Sequence, residues 1–110
     1  MQVSGEMKKN AFVVSLKGRI DMETSNEFNT NVEAYLEANF TPFILNCKDL
    51  EYINSSGLTS IIHLSQMLES FHLKLALCEL QPQVKEVIDI AAMETYFNIY
   101  PTEQEAFENL

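Results

Sequence analysis

The chain has 110 residues, the size of one ordinary domain. A chain of that length buries roughly two-thirds of its unfolded surface, so it needs neither disulfides nor a structural metal to hold it. Sixteen acidic against seven basic residues give a net charge of −9. That balance disfavours nucleic acid and anionic membranes as partners, because both are held by clustered Lys and Arg.

Residues 2–7 read as a weak strand, 8–10 as a turn and 11–16 (Ala-Phe-Val-Val-Ser-Leu) as a β-rich run, which together predict a hairpin closed by Gly18. Thr24 and Glu27 have capping-box spacing at a helix start. Phe28, Val32, Tyr35 and Leu36 then recur with helical period, and Pro42 stops the helix near Asn39. A short apolar strand over 42–47 follows, and residues 48–53 lead out of it to the polar loop Asn54-Ser55-Ser56-Gly57. A second helix spans about 56–69 with Leu58, Ile61, Ile62, Ser65 and Leu68 on one face, widened by Leu64, Met67 and Phe71. A strand over 73–78, a helix opened by Pro82, a short strand over 96–100 and a last helix with Thr102 and Glu105 at capping-box spacing complete the chain.

The order β-β-α-β-α-β-α-β-α predicts a single α/β domain over residues 1–110. Its hairpin joins parallel strands in a mixed central sheet, packed by about four helices. Cys47 and Cys78 lie in apolar runs without CxxC spacing and read as reduced thiols on buried strands. No apolar stretch approaches the roughly 18 residues of a membrane span, and residues 1–7 lack a signal-peptide pattern, so the expected compartment is the cytosol without membrane insertion.

Catalytic chemistry is hard to assemble here. His63 and His72 lack metal-ligand spacing, and neither a GxSxG elbow nor a GxxxxGK phosphate loop occurs. Glu103 and Glu105 fall at a helix start, where they suit the helix dipole. The expectation is no catalytic residue, no metal and no cofactor. The informative constellation is residues 50–58, Leu-Glu-Tyr-Ile-Asn-Ser-Ser-Gly-Leu, in which a strand feeds a two-serine loop that opens into a helix. Either serine has the side-chain oxygen of an N-cap, and Gly57 allows close backbone approach. Capping by Ser56 leaves Ser55 free to point outward.

This segment resembles the "L-x-x-x-D-S-S-G-L" signature of bacterial anti-sigma-factor antagonists with the STAS fold. Gly18-Arg-Ile-Asp21 is similar to the family's "G-x-[LI]-D", and Leu80-Gln-Pro-Gln-Val84 to its "x-P-x-V" before the third helix. Residues 96–106 resemble its closing strand and helix, so the resemblance runs in order along nearly the whole chain. It implies the STAS fold and a non-catalytic binding module. The partner it implies is an anti-sigma factor that is also a GHKL-type serine kinase, bound while the chain is unphosphorylated. It further implies phosphorylation of Ser55 by that kinase, which ends binding, and reversal by a PP2C-type phosphatase. Asp21, Asn54, Ser55, Ser56, Gly57 and Leu58 are the candidate partner-binding residues, Ser55 the candidate phosphorylation site, and a monomer the expected state. The chain departs from the family in having Asn54 where an acidic residue stands and Phe71-His72 where Gly-Gly is frequent. The alternatives are a constitutive, unphosphorylated STAS subunit of a lipid-transport or stress-signalling complex and, on weaker grounds, a nucleotide binder or an enzyme.

Overall fold

The computed structural model describes residues 1–110 as β1 (Gln2–Lys8), β2 (Ala11–Ile20), α1 (Ser25–Ala38), β3 (Phe43–Ile53), α2 (Ser55–Ser70), β4 (Leu75–Cys78), α3 (Pro82–Ile90), β5 (Asn98–Tyr100) and α4 (Glu103–Glu108). The five strands form one sheet in the order β1-β2-β3-β4-β5. Antiparallel β1 and β2 are joined by a two-residue turn in which Lys9 has φ 53°, and all other pairs are parallel. The mixed sheet and the element order match the sequence expectation.

Side-chain alternation along β2 builds two cores. Phe12, Val14 and Leu16 face a layer made by Phe28, Val32 and Leu36 of α1, Leu58, Ile61, Leu64 and Leu68 of α2, and Val84 and Ile88 of α3. Ala11 and Val13 face the other way, where Ile44, Ala76, Cys78 and Ala106 pack beneath α4. Burial of this scale is the main driving force for folding. Cys47 and Cys78 are free and buried, in opposite layers. Burial pushes the Cys47 thiol up, and burial together with Glu79 and Glu103 pushes Cys78 up to about 12, so neither is a thiolate at neutral pH.

Two elements run further than predicted. β2 passes through Gly18, whose φ of 101° suits only glycine, and ends at Ile20. β3 continues from the expected apolar run to Ile53, because register shifts opposite Lys17 and Arg19 insert extra residues into β3. Conversely β4 begins at Leu75 and β5 at Asn98, later than the apolar runs suggest.

Glu103 does more than face a helix dipole. Its carboxylate accepts from Lys8 Nζ at 3.2 Å and Asn46 Nδ2 at 3.0 Å, tying the hairpin and β3 to α4. Of the two expected capping boxes, Thr102 does accept from Glu105 N at 3.1 Å, while Thr24 makes no cap bond to its helix.

Candidate functional site

The long β2 and β3 end side by side, with Ile20 opposite Ile53. The loops that follow them therefore sit together beyond the carboxyl ends of parallel strands, the usual place for a site in an α/β sheet. Asn54 N donates to Ile20 O at 3.3 Å, which pins one loop to the other. An open groove lined by Arg19, Asp21, Met22, Glu23 and Asn54 runs between them.

The second loop is held by an unexpected residue. Asn54, not either serine, is the N-cap of α2: its Oδ1 accepts from Gly57 N at 3.1 Å and its carbonyl from Leu58 N at 2.9 Å. A side-chain amide oxygen caps as well as a serine hydroxyl does, and Asn54 stands one residue earlier, in the extended conformation a cap needs. Both serines thus become helical residues with hydroxyls not spent on capping. Ser55 is exposed and is the first residue of α2, while Ser56 is half-buried. Ser55 and Ser56 are the first two residues of this 16-residue helix, so their N–H groups have no partner within it and sit at its positive end.

Gly57 and Leu58 are placed differently. Leu58 is only 6% exposed and belongs to the main core. Gly57 is buried against β2, where an added Cβ lies 2.5 Å from Ile20 O. Both hold the loop, and the surface that the motif presents consists of Asn54, Ser55, Ser56 and Thr59, whose Oγ1 donates to Ser55 O at 2.9 Å.

Asp21 lies in the other wall. Its Oδ1 accepts from Glu23 N at 3.0 Å and Thr24 N at 3.2 Å, so Asp21 caps the turn that leads into α1. Thr24, expected to cap, instead donates to Arg19 O at 2.9 Å. Partial burial raises the Asp21 carboxyl, but the Thr24 N–H, the Arg19 guanidinium and the Glu23 N–H together hold it below the ordinary 3.8. A carboxyl lowered by folding adds stability above its unfolded value and loses it as pH falls through the folded one. Asp21→Asn keeps a capping oxygen and removes the charge. Urea midpoints followed from pH 5 downward should therefore fall less steeply for the variant than for the wild type.

Arg19 carried no assignment in the sequence, yet it shapes the groove. Its guanidinium lies 4.2 Å from the Tyr52 ring centroid, and its Nε donates to Asp21 Oδ2 at 3.4 Å. The signal was present as strand register, since Arg19 pairs with Tyr52, but that pairing depends on the bulges in β3. Met22, 75% exposed, adds an apolar side chain to the rim. No group of His, Cys, Asp and Glu side chains is arranged to hold a metal ion, and no helix is long and apolar enough to cross a membrane. His63 and His72 are exposed.

The STAS domain model matches residues 2–106. This chain belongs to the STAS-domain family. Among its relatives is the anti-sigma F factor antagonist of Paenibacillus polymyxa, 25% identical over 111 residues, covering 100% of this chain and 95% of the relative. Among solved structures, an anti-sigma factor antagonist from Mycobacterium paratuberculosis superposes with a TM-score of 0.87 at 22% identity, covering 98% of this chain and 92% of its own. The anti-sigma factor antagonist SpoIIAA in its unphosphorylated form gives 0.79 at 20% identity, covering 98% and 95%. The Bacillus SpoIIAA has also been solved in a phosphorylated form. These likenesses show a shared fold.

The cap in this STAS domain makes a direct prediction. Asn54→Ala should cost about 1 kcal/mol in urea unfolding, because Gly57 N loses its acceptor. Asn54→Asp should be neutral or stabilising by up to about 1 kcal/mol, since it keeps the acceptor and adds a negative charge at the helix start.

Proposed function

We propose that this STAS domain is an anti-sigma-factor antagonist that works by partner switching. It binds an anti-sigma factor of the GHKL serine-kinase type through the surface formed by residues 19–24, Asn54 and the first turn of α2. Phosphorylation of Ser55 by that kinase releases it, and a PP2C-type phosphatase restores binding. The domain contributes a surface and a phosphate acceptor, and the kinase contributes the chemistry.

One observation carries this reading: the Ser55 side chain is exposed at the first turn of a capped helix, beside a groove with one cation and two carboxylates. The antagonist role borne by the Paenibacillus relative and the existence of a phosphorylated SpoIIAA support it.

The physics of the switch is local. A phosphoserine carries about −1.5 to −2 charge at neutral pH, and a helix N-terminus with free N–H groups tolerates it. Asn54 favours this, because a neutral cap leaves no carboxylate at that position to repel the phosphate. The domain therefore accepts the group without rearrangement, and the change falls on the partner's surface.

Incubation with ATP and candidate GHKL-type serine kinases, read by intact mass, tests the acceptor. Wild type should gain one phosphate and Ser55→Ala none. A wild-type chain that gains no phosphate belongs with the constitutive STAS subunits instead.

A further inference from the structure

At the far end of α2 from Ser55 lies an apolar cleft that the switch does not use. Phe40, 66% exposed, and Phe71, 48% exposed, meet edge to face with ring centroids 4.9 Å apart. With Leu36 and Met67 they line a cleft of about 270 Å³ whose charged walls are Glu33 and Glu37, one helical turn apart on α1. Two exposed phenylalanines in mutual contact form the kind of patch that marks a binding surface.

The electrostatics of the cleft select its occupant. α1 and α2 both end here, and neither carries a basic residue in its last turn, so two negative helix termini add to the two carboxylates. Aromatic faces attract cations as well. His72 and Lys74 follow Phe71 in the chain but do not line the cleft. A second copy of the chain would set its own Glu33, Glu37 and helix ends against these, like charge against like.

We propose that the cleft docks a basic, amphipathic peptide segment of a second protein. That segment inserts an apolar side chain between Phe40 and Phe71 and sets a Lys or Arg against Glu33 and Glu37. The 16 residues of α2 put about 24 Å between the two ends of the helix. Docking here therefore leaves Ser55 accessible, and the inference stands or falls independently of the switch.

The test uses the full chain and a fluorescein-labelled probe peptide of Leu and Lys at helical spacing. Binding is read by anisotropy and by amide shifts. The largest shifts should fall at Glu33, Glu37, Phe40, Met67 and Phe71. The double variants Glu33→Gln/Glu37→Gln and Phe40→Ser/Phe71→Ser should each weaken binding about tenfold, from two surface contacts of modest strength each. Glu105→Gln/Glu108→Gln, an equal change in net charge elsewhere on the surface, should leave affinity within about twofold. Three results overturn the proposal: shifts scattered over the acidic surface, equal loss in the Glu105/Glu108 variant, or a dimer in sedimentation that Phe40→Ser/Phe71→Ser dissolves. All the exchanged side chains are exposed or at the cleft rim, and matching circular dichroism spectra check that the variants stay folded.

Discussion

Gly57→Ala is expected to destabilise the domain by about 2–3 kcal/mol, the cost of overpacking a site that cannot give way. In an exposed helix interior the same exchange stabilises by about 1 kcal/mol, because alanine has the higher helix propensity. The sign reverses here because the new Cβ lies 2.5 Å from Ile20 O and 2.8 Å from Ile20 Cγ2. The nearest obstacle is backbone in the middle of the fold, not the end of a flexible side chain. Relief requires the first turn of α2 to lift away from β2, which strains the Asn54 N to Ile20 O hydrogen bond and the Leu58 contacts in the core. Gln66→Ala, on the exposed side of the same helix, should change stability by less than about 0.5 kcal/mol. Urea unfolding of the two variants beside wild type reads both effects. A Gly57→Ala variant as stable as wild type would show that the two loops are not packed as tightly as described.

Hydrophobic period and strand register decide what is legible in the sequence. The hairpin, the helices and their order were readable because Phe12, Val14 and Leu16 alternate and because Phe28, Val32 and Leu36 keep helical period. The second half of β3 was not readable. Its buried residues Cys47, Leu50 and Ile53 fall three apart, since bulges break the two-residue period that identifies a strand. The identity of the caps is hidden for a related reason. Asp21, Thr24, Asn54, Ser55 and Ser56 can all cap, and local sequence does not rank them. The strand ends do, by fixing where each loop leaves the sheet, and Asp21 and Asn54 stand at those points. The place of Arg19 in the groove is not legible locally, because its partner Tyr52 is set by register across the sheet. Ser55 could be singled out from the motif alone, whereas its exposure rests on Asn54 taking over the cap.

Phosphate on Ser55 is expected to lower affinity for the partner kinase at least a hundredfold while leaving the domain's own stability nearly unchanged. At about 1.4 kcal/mol per tenfold, that loss is about 2.8 kcal/mol, within the several kcal/mol that a misplaced charge costs at an interface. The asymmetry follows from where the charge lands. On the domain side it meets the positive end of α2 and a neutral Asn54 cap. On the partner side, the proposed switch requires a surface fitted to a small hydroxyl, where burying an anion without a compensating cation costs binding. Ser55→Glu should lose most of the same affinity, less than the phosphate because it carries one charge. Ser55→Ala should bind like wild type.

The central claim is that this one exposed hydroxyl decides whether the partner stays bound. Calorimetric titration of the kinase with unmodified chain and with chain stoichiometrically phosphorylated at Ser55 measures it directly. The expected result is a saturable heat for the first and no detectable binding for the second at the same concentrations. Equal affinity for the two forms would contradict it.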